Sequence, residues 1–250
     1  MSRVLWENLL LPNLDAPPVE FQAPPYSKPL SNTRAYPTAT SEILIPDPKA
    51  LRSMSRAAVF LANLCYEGRQ VFASLQSQSP FAIGVYCAVE NGPIDAPSTQ
   101  KIIDQRDPRH IADHYRKFRN PKMYLKQLPN LAPAQMGISL GLQGPMTVFT
   151  HSTHAALHAL DQAEWDLRQG VVEAALVCTA NAFDDYVIVR RAHNSDPRTL
   201  NEAAGAMLLG PSPEFSDWSS EIVHDPKNYF GISDPLISIL RRRHGTNGIA

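Results

Sequence analysis

The sequence predicts a single α/β domain with a mixed β-sheet between helical layers. Three observations carry this reading. Apolar, β-prone runs occupy 81–89, 174–182 and 203–209. Longer stripes with helical spacing at 49–76, 131–142 and 152–169 alternate with them. Hydrophobic residues make up 44% of 250 residues, enough for one sizeable core. Strands that are apolar along their whole length are covered on both faces, which places helices on either side of the sheet.

Nine of the 22 prolines fall within the first 50 residues. Proline fixes φ and removes a backbone donor, so 1–50 is predicted to be an extended arm. Ser41-Glu42-Ile43-Leu44-Ile45 reads as a short strand within it. Leu51, Met54, Ala58, Leu61, Ala62, Cys65 and Val71 form one helical stripe, predicting a helix over 49–76. The run at 81–89 is a buried strand stopped by Asn91-Gly92-Pro93. Residues 99–127 are polar and mixed, which suits short helices with loops. A helix at 131–142 closes at Gly144-Pro145, and 146–150 is a short strand. A long helix follows over 152–169 with Gly170 as its stop. After the buried strand at 174–182, residues 186–189 have strand character and 203–209 form another apolar strand. The last 40 residues carry Pro, Ser and Asp punctuation and one helix, at 235–243. The organisation is therefore an arm (1–50), a body (51–210) and a tail (211–250) in one domain.

Composition excludes several classes. The formal net charge is −1, which offers no overall attraction to nucleic acid or an anionic membrane. No apolar run approaches the ~18 residues of a membrane span. The first residues contain Glu7 and lack a basic stretch, so they are not read as a signal peptide. Cys65, Cys87 and Cys178 lie far apart in apolar stretches, as expected of reduced, buried thiols in a cytoplasmic protein.

Four segments occur in an order that resembles the N-terminal half of the β-ketoacyl synthases, which have the thiolase fold. They are RSMSRAAVFLA from Arg52, FAIGVYCAVENGP from Phe81, the long stretch NLAPAQMGISLGLQGPMTVFTHSTHAALHALDQAEWDLRQGVVEAALVCTANA from Asn130, and NEAAGAMLLG from Asn201. The long stretch resembles the family's helix, Gly-Pro turn, nucleophile strand, elbow, buried helix and following strand. The resemblance covers about 155 residues and implies a thiolase-like half, truncated relative to a full ketosynthase.

A nucleophile at a sharp strand-to-helix turn is open to substrate while its neighbours stay packed, and the helix N-terminus favours developing negative charge. The family places a cysteine there, because a thiolate forms readily and yields a thioester. The matching residue is Ser152, within Thr150-His151-Ser152-Thr153-His154. The family also uses two histidines from its C-terminal half, and no segment of that type follows here. The resemblance therefore implies a subunit without condensing activity of its own. It points to the chain-length factor of type II polyketide synthases, which pairs with an active ketosynthase in a complex served by an acyl carrier protein. It implies neither cofactor nor metal.

Other readings attach to particular residues. Ser152 with His151 and His154 nearby suggests a serine acyltransferase or hydrolase, though the pattern is not GxSxG. His151, His154 and His158 can share a helix face, but no further zinc ligand has an obvious spacing. They read better as polar groups beside the elbow. Arg241-Arg242-Arg243-His244 is either a carrier-protein contact or, the preferred reading, a solvated helix end. Asp184-Asp185 reads as a solvated turn in preference to a metal site. In the family, the region matching 107–136 lies at the subunit interface and reaches the partner's acyl tunnel. His114, Phe118, Tyr124 and Met136 are accordingly either gatekeepers of a cavity or ordinary packing residues.

Overall fold

A computed structural model describes residues 3–22, 29–37, 50–77, 79–105, 107–150 and 153–245. A five-stranded sheet forms its centre, in the order β1 (Arg3–Leu10), β8 (Ala203–Gly210), β6 (Ala174–Asn181), β4 (Ile83–Val89), β5 (Met146–Phe149). β4, β5 and β6 are mutually parallel, whereas β8 runs antiparallel to β6 and β1 antiparallel to β8. Every residue of β4, β6 and β8 is buried, which is why these strands read as unbroken apolar runs. A smaller sheet joins β2 (Val19–Phe21), β3 (Leu30–Arg34), β7 (Thr199–Asn201) and β9 (Asn228–Tyr229).

One face of the main sheet is covered by α1 (Arg56–Tyr66), α2 (Arg69–Gln76) and α6 (Leu131–Leu140). The helix expected over 49–76 is thus two helices, parted at Glu67-Gly68. Trp6 of β1 rides over this break and packs edge-on against Phe72, with ring centroids 5.2 Å apart. A Cβ at Gly68 would stand 2.8 Å from Trp6 Cε2, so the close approach of strand and helix turn depends on glycine.

The other face carries α7 (Ala155–Arg168) and α10 (Asp234–Arg243). α7 ends as expected at Gly170, which has φ +68°; the Val171 N–H reaches back to Asp166 O at 2.9 Å. Its inner side buries Ala155, Ala156, Ala159, Leu160, Ala163 and Leu167. Its outer side carries His158, Asp161 and Arg168 together with Trp165, which is 55% exposed. The Tyr86 hydroxyl donates to Asp166 Oδ2 (2.6 Å) and ties α7 to β4.

The described parts of the arm, 3–22 and 29–37, are woven into the domain: β1 closes one side of the main sheet, and β2 and β3 belong to the smaller one. The strand expected at 41–45 lies outside the described residues. The tail also joins the core. Leu236, Ile237, Ile239 and Leu240 of α10 are fully buried. Between the core helices, α3 (Ala96–Ile103), α4 (Ile111–Phe118) and α5 (Pro121–Gln127) form a lobe of short helices, as the mixed composition predicted. α9 (Trp218–Glu221) precedes the second sheet's last strand.

One element differs in kind. Residues 186–189, expected to be strand, open α8 (Tyr186–Ser195). Asp185 Oδ1 accepts hydrogen bonds from the backbone of Val187 (2.7 Å) and Ile188 (3.4 Å). This cap overrides the β preference of Tyr-Val-Ile-Val. Among the described residues, no helix is long and apolar enough to cross a membrane.

Candidate functional site

The strand-to-helix turn expected at 150–154 lies between β5, which ends at Phe149, and α7, which begins at Ala155. His151 and Ser152 lie outside the described residues. Thr150 is half-buried, while Thr153 and His154 are exposed. Thr153 Oγ1 is 3.2 Å from His154 Nδ1. His158, one turn further, is also exposed and lies near Asp161, whose carboxyl is held above its usual range chiefly by burial. Among the described residues no three His, Cys, Asp or Glu side chains group as metal ligands.

The turn sits at the carboxyl ends of the parallel strands β4, β5 and β6, where open α/β sheets place their ligands. A cavity of about 210 Å³ opens there, bounded by Thr153, Asn181 at the end of β6, Glu90 just beyond β4, Arg191 of α8, and Tyr229. Arg191 Nη2 contacts Glu90 Oε1 at 2.7 Å across it. Asn181 is fixed by donating to Asn201 O (2.8 Å), and the Thr179 hydroxyl by donating to Ala88 O (2.8 Å). The strand ends around the turn are therefore held by hydrogen bonds that do not depend on a ligand.

Behind the cavity lies a buried charge network that the sequence reading did not single out. Glu202 is fully buried and accepts two hydrogen bonds from Arg56, Nε to Oε1 (2.8 Å) and Nη2 to Oε2 (2.7 Å). The backbone N–H groups of Tyr36 (2.8 Å) and Phe183 (2.6 Å) fill its remaining lone pairs. The signal in the sequence was a lone glutamate between a strand and a run of small apolar residues. Such a charge persists in a core only with partners.

Asp184 and Asp185 correct an expectation: neither forms a solvated turn. Asp184 Oδ2 accepts from the Arg56 N–H at the start of α1. Burial, with Glu202 nearby, pushes its carboxyl up to about 6. Asp185 is 5% exposed and, besides capping α8, accepts from Ile94 N (3.0 Å). The β6–α8 connection is buried, so its polar side chains serve as caps for neighbouring backbone.

The four cavity candidates do not converge. His114 and Phe118 face each other on α4 with ring centroids 5.4 Å apart, both half-buried. Tyr124 on α5 is 62% exposed, and Met136 is fully buried in the core beside α1 and β4. The basic run is a helix end, as preferred, but not a freely solvated one. Arg241 Nη1 pairs with Asp225 Oδ2 (2.6 Å) and Arg243 Nε with Glu7 Oε2 (2.8 Å). All three cysteines are buried free thiols, and Cys87 and Cys178 are register partners across β4 and β6. Contact with Cys178 and burial raise the Cys87 thiol, and burial raises that of Cys65. Neither is set up as a nucleophile.

Comparison with known proteins accords with this layout. No curated protein matches the chain. Among solved structures, a β-ketoacyl synthase from Burkholderia phymatum STM815 superposes with a TM-score of 0.61 at 14% identity, over 85% of this chain and 60% of that one. The ketosynthase ApeO in complex with its chain length factor ApeC, from Xenorhabdus doucetiae, gives 0.57 at 13% identity, over 84% and 58%. A type II polyketide synthase acyl-carrier protein in complex with its hexaketide-bound ketosynthase (AntDE:AntF) gives 0.57 at 13%, over 72% and 53%. The chain thus spans between 53% and 60% of the length of these structures, and at such identities the likeness is one of fold. Residues 40–195 match the family described as Beta-ketoacyl synthase, N-terminal domain, and the chain belongs to that family.

Proposed function

We propose that this chain is a non-catalytic partner of an active ketosynthase, of the chain-length-factor type, in a type II polyketide assembly. The observation that carries the reading is the residue at the elbow. On the resemblance of the sequence around it, Ser152 stands in for the family's cysteine; it lies within the matched residues 40–195, and the chain's three thiols are all buried. A serine hydroxyl at neutral pH is a far poorer acyl acceptor than a thiolate unless a base is aligned with it. The partner supplies the nucleophile, and this chain supplies interface, stability and one wall of the cavity in which the acyl chain grows.

One surface supports the pairing and another suits a carrier protein. β5 has a hydrogen-bonded neighbour on one side only among the described residues, and an open strand edge is a template for another chain. Beside it, Ile138 of α6 is 75% exposed and Met146 of β5 37% exposed. For a carrier protein, the α3–α5 lobe offers a cationic face. Residues 101–126 hold eight Lys and Arg against three Asp and Glu. Lys101 and Lys117 lie over the Phe118 ring, and Arg119 over Tyr115.

Co-expression with an active type II ketosynthase, compared with expression alone and followed by size-exclusion chromatography with light scattering, tests the reading. A stable 1:1 complex is expected, with ketosynthase turnover dependent on it and retained in Ser152→Ala. A chain that stays monomeric beside the ketosynthase, or a Ser152 labelled by a fluorophosphonate at the rate of a serine hydrolase, overturns it.

A further inference from the structure

A second cavity, of about 560 Å³, lies away from the elbow, between the loop after α9 and the outer side of α10. That size falls in the range of small-molecule sites, roughly 300–1,000 Å³. Its floor is Phe230, 2% exposed, and its rim includes Val223, His224, Asp234 and Arg242.

The charges around it are unequally used. Asp225 is saturated by Arg241 Nη1 (2.6 Å), Asn228 Nδ2 (3.0 Å) and the Lys227 and Asn228 N–H groups (2.8 and 2.9 Å). Asp234 is nearly buried and accepts from Phe230 N (3.1 Å). Its Oδ2 stands 3.2 Å from His224 Nδ1 and 3.7 Å from Arg198 Nη2. Both carboxylates therefore already have partners built into the fold. Arg242 is different. Its Nη1 meets only the carbonyls of Ser220 and Glu221, at 3.3 and 3.5 Å, and it has no carboxylate partner among the described residues. His224 is oriented by Asp234 through Nδ1 while its side chain stays 67% exposed, which leaves Nε2 as the nitrogen available to a ligand. Ser238 offers no free donor, because its hydroxyl donates to Val223 O and accepts from Val223 N, at 2.7 Å each.

We propose that this cavity binds a small organic oxyanion, with the headgroup held by Arg242 and His224 Nε2 and an apolar body against Phe230. A guanidinium offers paired donors that match a phosphate or carboxylate, and the imidazolium form of His224, with Nδ1–H on Asp234, adds a third from Nε2–H at a set angle. The site is independent of the elbow and of the pairing with a ketosynthase.

Isothermal titration calorimetry on the intact chain tests this with phenyl phosphate, benzoate and benzyl alcohol as probes. Saturable 1:1 binding of phenyl phosphate or benzoate is expected, with benzyl alcohol silent; which of the two binds tighter separates a phosphate from a carboxylate ligand. Arg242→Ala and His224→Gln should each weaken binding by about tenfold or more, the effect of one charge-assisted hydrogen bond. Arg116→Ala, on the distant lobe, should leave it unchanged. Both site residues are exposed, so the variants should keep the wild-type far-UV spectrum. Equal heats for benzyl alcohol, no saturation by either anion up to millimolar concentration, or equal loss in Arg116→Ala would overturn the proposal.

Discussion

A residue whose chemistry departs from its solution value, Asp184, serves the fold behind the elbow. Asp184 is ionisable and largely shielded from solvent, and its carboxyl is raised from 3.8 to about 6. A raised carboxylate means the folded state holds the proton more tightly than the unfolded chain. Its contribution is therefore most favourable below about pH 3.8 and is lost as pH rises through about 6, an effect of order 3 kcal/mol. Asn preserves an acceptor for the Arg56 N–H and cannot ionise. Asp184→Asn should gain stability relative to wild type between pH 4 and pH 7.5, by about 1–3 kcal/mol, measured by urea unfolding at each pH. An unchanged difference between wild type and Asp184→Asn across that range would show that the Asp184 carboxyl titrates alike in the folded and unfolded chain, and would overturn the shift. The sequence displayed this aspartate but misplaced it, because adjacent acids usually mark solvent. What buries it is the packing of α1 against β6 and β8, a contact between distant segments that local pattern does not report.

Among elements, what the sequence made legible and what it concealed divide along the same line. The fully apolar strands β4, β6 and β8, and the helix α7 with its glycine stop, announce themselves through periodicity and end signals. The break between α1 and α2 does not, since its cause is Trp6 arriving from β1, some sixty residues earlier. α8 was hidden by β-branched residues that its Asp185 cap outvotes. The elbow was legible as strand, turn and helix, yet the surroundings that bound its cavity come from α8 and β9, which no local motif announced. The tail's role was concealed as well: the sequence offers a helix at 235–243 but not its companion surface, which is β8. A Cβ on Gly205 would fall 2.7 Å from Leu240 Cδ1 and 3.0 Å from Ile237 Cδ1, so the strand is shaped to receive that helix. Leu240→Ala should destabilise the protein by about 2–5 kcal/mol, and Gly205→Val by about 1–3 kcal/mol through overpacking. Thermal unfolding reads both. If the Leu240→Ala midpoint matches wild type, α10 is no part of the cooperative unit.

On the scale of the whole molecule, a net charge of −1 conceals a strong asymmetry. The lobe at 101–126 carries +5, leaving −6 for everything else. Its three carboxylates are engaged locally: Asp104 by Gln100 (2.8 Å), Asp107 by Arg109 (2.7 Å) and Asp113 by Arg116 (3.5 Å). Lys117, Arg119 and Lys122 remain exposed, with no carboxylate partner among the described residues. Like charges concentrated on one lobe repel each other, a cost that a complementary acidic surface offsets, and such surfaces act chiefly on association rate and specificity. In the assembly proposed above, the acidic surface is the carrier protein's. Lys117→Glu combined with Lys122→Glu should then slow carrier association with the complex by about tenfold at low salt, in surface plasmon resonance. Wild-type association should fall towards the variant's as ionic strength rises and the Debye length shrinks to about 3 Å at 1 M. Lys227→Glu, exposed but outside the lobe, controls for a general charge effect. Equal slowing by the control would reduce the effect to net charge. If carrier association is untouched while the double variant fails to co-elute with the ketosynthase, the lobe belongs to the subunit interface, and the carrier must dock on a different face.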